Sequence, residues 1–316
     1  MATLPRATVV VVARDRWTQT PTTLDLLIER TDPRHDIVLV DAHAPRDVAR
    51  ALDRRAATGR VRVVRRNRHL AANTARNLGV DGARTEWIAF VENDVVLDDG
   101  WLEELLAAGE ARDATSVYPA YLQPSAGGFV VHGLGADLEL CDENGQRFVH
   151  EHQVHLNQPW CEIADRVEPA TRVQSEYHTM AIRREFLDRL GGLDEQLLSW
   201  FDHTDLALHH LALGASAWFV PTVTCRYLPP PPVALRDVPS FLLRWSHDWY
   251  QRSLDRLCEV WGFDPSAAAW KEHDRYRKII RRGAFTQHSR VDAVLDRAAV
   301  PGEHVIARWN ARGAGR

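Results

Sequence analysis

Short apolar runs rich in β-branched residues alternate with longer amphipathic stretches over the first 112 residues. Runs of about five such residues predict buried strands, and stretches of ten or more with helical periodicity predict helices. This alternation is typical of a parallel sheet covered by helices on both faces. The predicted strands cover residues 8–13, 37–41, 61–64 and 87–91, and the predicted helices cover residues 22–30, 45–57, 71–83 and 100–111.

The pattern becomes less regular after residue 112. Short β-like pieces are separated by Gly, Pro and Asn-Gly turns, which predicts a mixed segment rather than further parallel repeats. The predicted strands of this segment cover residues 116–122, 129–134, 137–140, 147–150, 216–220 and 223–227, and its predicted helices cover residues 184–190 and 202–213.

Four consecutive prolines at residues 229–232 predict a rigid spacer and therefore a domain boundary. We expect a first domain at 1–228, with halves at 1–112 and 113–228, followed by a helical region at 229–316. Its helices are predicted at residues 239–261, 266–282 and 290–298. Trp and Tyr form stripes on these helices. Such stripes suit a membrane surface, an acceptor groove, a homodimer contact or packing against the first domain.

The composition indicates a globular chain of 316 residues, with 45% hydrophobic and 26% charged residues. The net charge of −4 hides an asymmetry, because residues 1–80 carry fifteen Arg and eight acids (+7), whereas the remainder carries 24 bases and 35 acids (−11). A basic first quarter suits an anionic ligand. The alternative is that this chain uses Arg at nearly every basic position, whatever its role, since 37 of the 39 basic residues are Arg.

Four scattered cysteines predict neither a zinc site nor a disulfide framework, because no Cys-x-x-Cys pair occurs.

The N-terminal apolar run is short and indicates no signal peptide. Two uncharged stretches, 114–136 and 206–225, approach the length of a membrane span, but Pro, Gly and His within them favour buried elements without a transmembrane segment. A cytoplasmic location is the expectation.

The window of residues 67–106 carries the first candidate chemistry. Glu92, Asn93 and Asp94 follow the predicted strand at 87–91. In a parallel sheet, ligands bind at the carboxyl ends of the strands. Two carboxylates at positions i and i+2 of an extended segment point the same way. Carboxylates of this kind hold Mg2+ or Mn2+ against a nucleotide. A solvated strand-to-helix loop is the alternative interpretation.

The window of residues 180–214 carries the second group of residues with candidate chemistry. Asp202 and Asp205 lie at a predicted helix start, directly after Trp200 and Phe201. Acids at i and i+3 share a helix face. Apolar neighbours raise the pKa of such a carboxylate, whereas the helix dipole lowers it. A carboxylate that stays ionised near neutral pH suits a general base.

Together the two windows resemble the inverting family 2 glycosyltransferases of the GT-A fold. The resemblance covers about residues 6–228, and no single motif carries it. The matching motifs are TVVVVARDR, IVLVDAHAP, N-x-x-x-A-A-N-x-A-R-N-x-G from Asn67 to Gly79, VENDV in the position of the family's D-x-D, GWL, and RRE-F-x-x-x-GG-L-DE before an acidic helix start.

The resemblance implies an α/β, Rossmann-like nucleotide-diphospho-sugar transferase domain. It makes 1–112 the nucleotide-binding half and 113–228 the acceptor-side half, with the helical region as an appendage. Arg76 would lie near the diphosphate, and Asp94, with Glu92 less securely, would bind Mn2+ or Mg2+. The nucleotide sugar would contact Ala13, Arg14, Asp15, Asp41, Arg76, Glu92 and Asn93.

The resemblance places the catalytic base among Asp202, His203 and Asp205. The family's commoner spelling is Glu-Asp-x-Asp, and His203 occupies its second place here. Asp202 is favoured because a D-x-x-D spelling also occurs in rhamnosyl- and galactofuranosyl-transferring relatives. Trp200, Phe201 and Glu176 would lie on the acceptor side.

One departure concerns the metal. The family often has a His near the strand end that corresponds to residues 225–228, and this sequence has Arg226 and Tyr227 there. A cation at this place would replace metal charge on the leaving diphosphate.

The sequence therefore predicts an inverting glycosyltransferase that moves a sugar from a nucleoside-diphosphate sugar to a hydroxyl of a glycan, lipid-linked or small-molecule acceptor. Attachment to the inner membrane face and a homodimer through the C-terminal helices extend this hypothesis, and no nucleic-acid partner is expected. The alternatives are an inactive nucleotide-sugar or glycan-binding protein and a sugar nucleotidyltransferase. The latter would need a Gly-rich phosphate loop after the first strand, where no Gly occurs.

Overall fold

The computed structural model describes residues 6–283, 305–308 and 310. Strands and helices alternate through the first 112 residues as predicted. These elements are β1 (Ala7–Val12), α1 (Thr20–Arg30), β2 (Asp36–Ala42), α2 (Arg46–Ala56), β3 (Arg62–Arg66), α3 (Ala72–Val80), β4 (Trp87–Glu92), β5 (Val95–Leu97) and α4 (Trp101–Arg112).

Strands dominate the next part of the chain and helices the last. The elements are β6 (Ser116–Ser125), β7 (Gly128–Gly133), β8 (Ala136–Glu143), β9 (Gln146–Gln153), α5 (Trp160–Ile163), β10 (Ala170–Arg172), β11 (Thr179–Arg183), α6 (Arg184–Leu190), α7 (Asp202–Leu213), β12 (Ala217–Tyr227), α8 (Val238–Arg244), α9 (His247–Trp261) and α10 (Trp270–Gly283).

One large sheet organises the fold, in the order β10-β12-β6-β11-β4-β1-β2-β3. Strands β3, β2, β1 and β4 are parallel, whereas β11 runs antiparallel to both β4 and β6. Every residue of β1 and β4 is buried, as expected for strands covered on both faces. The parallel first half and the mixed second half are therefore both confirmed.

The structure differs from the sequence prediction at several places, and the short elements β5, α5 and β10 were also not predicted. The two strands predicted within 216–227 form the single strand β12, with a register shift between Val220 and Thr224. The single helix predicted at 239–261 is interrupted, because the Ser246 hydroxyl accepts the Trp249 N–H at 3.1 Å and starts a new helix. The strand β11 was not predicted. The helix predicted at 290–298 lies outside the described residues.

The C-terminal helices pack against the first part of the chain around a second apolar core. Tyr250 and Leu257 of α9 share this core with Phe201, with Leu208 of α7 and with Phe148 of β9. Packing, one of the four roles left open for the aromatic stripes, therefore accounts for much of them.

The two long uncharged stretches form β6 with β7, and α7 with β12. In the described ranges, no helix combines the length and apolar character that crossing a membrane requires. The four cysteines, all within these ranges, are free thiols.

Close packing of α3 on the sheet depends on Gly79. An added Cβ would lie 2.2 Å from Val10 Cγ1 and 3.2 Å from Val40 Cγ2. We therefore expect Gly79→Ala to lower the free energy of unfolding by about 1–3 kcal/mol, measured by urea denaturation. The control is Gly127→Ala, since no described atom lies within 4 Å of the added Cβ. A Gly79→Ala variant as stable as this control would contradict the close approach.

Candidate active site

The carboxyl ends of β1 and β4 meet the starts of α3 and α7 at a cavity of about 430 Å³. Arg14, Arg76, Glu92 and Asp202 line one side of it. The two sequence windows that carried the candidate chemistry are thus brought together, at the sheet edge where ligands of parallel sheets bind.

Arg76 joins these windows. Its Nη1 donates to Asp202 Oδ2 at 2.5 Å, and its Nη2 lies 3.7 Å from Glu92 Oε1. Its guanidinium also lies over the Tyr177 ring, 3.7 Å from the centroid. One turn earlier on α3, Asn73 accepts from Arg76 Nη1 at 2.9 Å. These contacts hold a buried cation between two buried carboxylates.

The three candidates for the catalytic base occupy different environments. Burial raises the pKa of Asp202, but Arg76 and His203 outweigh it and hold this pKa well below its usual range. Burial lowers the pKa of His203, but the hydrogen bond to Asp202 and the charge of Glu151 raise it to about 9. Asp202 is therefore ionised at neutral pH, and His203 is protonated.

Asp205 does not share the environment of Asp202. Its Oδ1 accepts from Trp261 Nε1 at 2.8 Å, and its Oδ2 lies 3.7 Å from His209 Nε2. Positions i and i+3 lie on the same side of a helix, but the two carboxylates have different partners, since Asp202 accepts from Arg76. Asp202 contacts the cavity, whereas Asp205 contacts α9.

Asn93 fastens the end of β4 to the loop after β1. Its Oδ1 accepts from the Arg14 N–H at 2.9 Å, and its Nδ2 donates to the Arg16 carbonyl and to Thr20 Oγ1. In the same loop, Asp15 accepts from Trp245 Nε1 at 2.6 Å. Asn93 and Asp15, which were both predicted to contact the nucleotide, thus hold the loop that carries Arg14.

Two further residues of the predicted nucleotide site lie on β2 and after β1. Asp41 is buried at the end of β2, and its oxygens accept from Arg65 Nε at 2.6 Å and from the Ala44 N–H at 2.7 Å. Ala13 lines a small cavity of about 30 Å³, which shares Arg14, Arg76 and Glu92 with the larger cavity.

His178 was not identified from the sequence, yet it lies at the centre of the charged cluster. Its Nδ1 and Nε2 contact Glu92 Oε2 and Glu176 Oε2, each at 2.6 Å. Burial lowers the pKa of His178, but the two carboxylates raise it to about 9. His132 of β7 adds a contact of 3.6 Å to Glu176 Oε1. The Glu-x-His pair before β11 was the available signal.

Asp94 has the environment expected of a metal-binding carboxylate. It is 9% exposed, and its buried Oδ1 has no hydrogen-bond partner among the described residues. Burial and the nearby charge of Glu92 raise the pKa of Asp94 to about 6. A divalent cation would relieve both penalties, so the residues present fit the predicted metal.

Trp200 and Phe201 differ in their location relative to the cavity. Trp200 lines the cavity, together with Arg244, Trp245 and Tyr276 of the C-terminal region. Phe201 is 1% exposed and packs in the second core. Phe201 is not among the side chains that line the cavity, and its burial does not favour the predicted contact with an acceptor, which stays a prediction.

Arg226 does not supply the cation expected at the end of β12. Its Nη2 binds Asp98 Oδ1 at 2.5 Å. Its neighbour Tyr227 points to the other face of the strand. The Tyr227 ring packs on His132 and His178, with centroids 5.1 and 4.8 Å apart. Histidines from other segments thus surround the position of the missing strand-end His.

A larger open cleft of about 890 Å³ lies at the opposite ends of β1 and β2, beside Thr8 and Asp36. None of the predicted site residues lines it. The amino ends of parallel strands are not where such sheets bind ligands, so the 430 Å³ cavity is the candidate active site.

The sequence profile described as "Glycosyl transferase family 2" matches residues 8–191. The chain belongs to glycosyl transferase family 2. The match includes Arg76, Glu92 and Asp94 and ends before Asp202.

Among curated proteins, the chain is similar to a probable N-acetylgalactosaminyltransferase 9 of Caenorhabditis elegans, with 24% identity over 230 residues. The alignment covers 70% of this chain and 39% of that relative. The chain thus spans about two fifths of the relative's length.

Solved structures of other transferases share the fold. GalNAc-T7 with UDP, GalNAc and Mn2+ matches with a TM-score of 0.58 and 18% identity, over 88% of this chain and 55% of that chain. The mannosyltransferase PcManGT from Pyrobaculum calidifontis, in complex with GDP-Man and Mn2+, matches with a TM-score of 0.53 and 15% identity, over 99% and 85%. The predicted GT-A fold with a helical C-terminal region is therefore confirmed.

The raised pKa of Asp94 has a consequence for stability. Ionising this buried carboxylate opposes folding, so its penalty is absent below pH 4 and complete above pH 6. We expect metal-free Asp94→Asn to be more stable than the wild type at pH 7, by about 1–3 kcal/mol. Urea denaturation at pH 7 and pH 4 measures the difference, which should shrink at the lower pH. If Asp94→Asn were more stable than the wild type by the same amount at both pH values, the raised pKa of Asp94 would be contradicted.

Proposed function

We propose that the protein transfers a hexosyl or deoxyhexosyl group from a nucleoside-diphosphate sugar to an acceptor hydroxyl, by a metal-assisted single displacement that inverts the anomeric carbon. Family membership supports glycosyl transfer, and the solved relatives are complexes with UDP or GDP-Man. The observation that carries the proposal is Arg76, which connects Asp202 with Glu92 at one cavity.

The donor would bind at the carboxyl ends of β1, β2 and β4. Arg14 and Arg76 supply positive charge for the diphosphate, and both line the cavity. Asp41 and the loop of Ala13, Asp15 and Asn93 would hold the base and ribose. Asp94, assisted by Glu92, would hold Mn2+ or Mg2+. When bound, such an ion neutralises the negative charge that develops on the leaving diphosphate.

Asp202 is the proposed general base. Its carboxylate is ionised at neutral pH and lines the cavity, so it can take the proton of the attacking hydroxyl. His203 is protonated there and has no free nitrogen lone pair with which to accept a proton. A base on the face opposite the diphosphate gives a single displacement, and hence inversion.

The acceptor would lie against Trp200 in the wall formed with Trp245 and Tyr276. Aromatic faces of this kind pack well against the apolar faces of sugar rings. A glycan, a lipid-linked sugar and a small molecule all fit this description. The rhamnosyl or galactofuranosyl specificity and the cytoplasmic location, with or without attachment to the inner membrane face, stay predictions.

The first test concerns the base. Donor consumption is screened over UDP-, GDP- and TDP-sugars with Mn2+ or Mg2+, and the anomeric configuration of the product is read by NMR. We expect Asp202→Asn to lower transfer about 10²–10⁴-fold, because a carboxamide cannot take the proton of the attacking hydroxyl. Asp205→Asn should stay within about threefold of the wild type.

Different outcomes overturn different parts of this proposal. A retained anomeric configuration would refute the single displacement. Full transfer by Asp202→Asn would refute the base. Nucleotide-sugar binding without turnover in the wild type would favour the inactive binding protein, for which the replacement of the family's second acid by His203 is the supporting observation.

The second test concerns Arg76 and the diphosphate. Loss of a charged hydrogen bond in Arg76→Ala should weaken binding of the matching nucleoside diphosphate by about 1–3 kcal/mol in calorimetry. Arg55→Ala is the matched control, because Arg55 pairs with Asp25 at the surface. Thermal melts establish that both variants are folded. Equal affinities in a folded Arg76→Ala variant and the control would refute the role of Arg76 in binding the diphosphate.

A further inference from the structure

His132, Glu176 and His178 form a cluster beside the proposed donor site that the proposed function does not use. One ligand atom from each side chain lies within 4.8 Å of the others. Glu176 and His178, two residues apart on an extended segment, point the same way. His132 reaches them from β7, and all three side chains line the 430 Å³ cavity.

We propose that these three side chains bind a divalent transition-metal ion of the Zn2+ type, at a site separate from Asp94. The ligands are His132 Nε2, a carboxylate oxygen of Glu176 and His178 Nε2. Two imidazoles and one carboxylate form a ligand set that Zn2+ uses in catalytic sites, where a fourth position is open. Imidazole favours Zn2+ and its neighbours over Mg2+.

Glu92 supports this assignment from behind His178. Its Oε2 lies 2.6 Å from His178 Nδ1, so the Nδ1–H can donate to it while Nε2 faces Glu176. The second ring N–H of a metal-binding histidine commonly donates to a carboxylate, a backbone carbonyl or a water, and this bond fixes the ring and its tautomer. In the metal-free protein a proton on Nε2 bridges to Glu176, in the place that the ion would take.

The rest of the cluster is held by buried aromatic side chains. The Tyr121 hydroxyl lies 2.8 Å from the carbonyl oxygens of both Glu176 and Thr179, on either side of His178. The Tyr227 ring packs on both histidines. Two ligand atoms about 2 Å from one ion lie at most about 4 Å apart, so small side-chain rotations close the site.

Titration of the metal-free protein with Zn2+ by calorimetry, and with Co2+ by visible absorption, tests the site without any sugar. We expect His132→Ala to weaken Zn2+ binding about 100-fold or more and to change the Co2+ spectrum. His152→Ala is the matched control, because His152 lies on the surface and contacts Glu139. Glu176→Gln changes a second proposed ligand and should also weaken Zn2+ binding, so the test does not depend on the folding of one variant.

Asp94→Asn separates this ion from the one in the proposed donor site. Zn2+ binding that depends on His132 should persist in this variant. Equal Zn2+ affinities in His132→Ala, Glu176→Gln and the control would overturn the site, and so would loss of all binding in Asp94→Asn alone. Because no donor or acceptor is present, the result is independent of whether sugar transfer is found.

Discussion

The buried ion pair between Arg76 and Asp202 sets the position of α7 relative to α3. Removing one partner of such a pair leaves an uncompensated charge and costs about 3–5 kcal/mol. Asn73 and the Tyr177 ring hold the guanidinium from two further directions. The carboxylate of Asp202 is therefore both ionised and fixed in place, and the second half of the chain is docked on the first at this point.

The cations around Glu92 explain the state of its neighbour Asp94. Arg14, Arg76 and His178 all lie within 3.7 Å of Glu92, so they hold its pKa well below the usual range. Asp94 receives less of this positive charge and keeps an unpaired oxygen among the described residues. Two carboxylates two residues apart thus have opposite protonation tendencies, which periodicity and spacing do not show.

The first half of the fold could be predicted because its strands are buried on both faces and its helices show clear periodicity. The short strand β11 was missed because five residues with little flanking turn signal carry too weak a pattern. The interruption at Ser246 was missed because the aromatic stripe continues on both sides of it.

The site was predictable where one local segment carries it, as at Glu92, Asn93 and Asp94. His132 and His178 are 46 residues apart and meet only because β7 and the segment before β11 lie beside one cavity. The Arg residues in excess over acids in the first 80 residues fall into two groups. Arg55 pairs with Asp25 and Arg65 with Asp41, so ordinary surface and structural pairs account for part of it, whereas Arg14 and Arg76 line the cavity.

The cavity has two walls that rest on different apolar clusters and meet at the hydrogen bond from Trp245 to Asp15. One wall belongs to the sheet and its parallel strands, whereas Trp245 and Tyr276 come from the C-terminal region, where Trp245 packs with Phe241 and Leu242 in a third apolar cluster. Substitutions at Phe241 or Leu242 can therefore reshape one wall while the buried strands β1 and β4 stay where they are. A chain built in this way can change the shape of molecule it admits without rebuilding the charged cluster opposite.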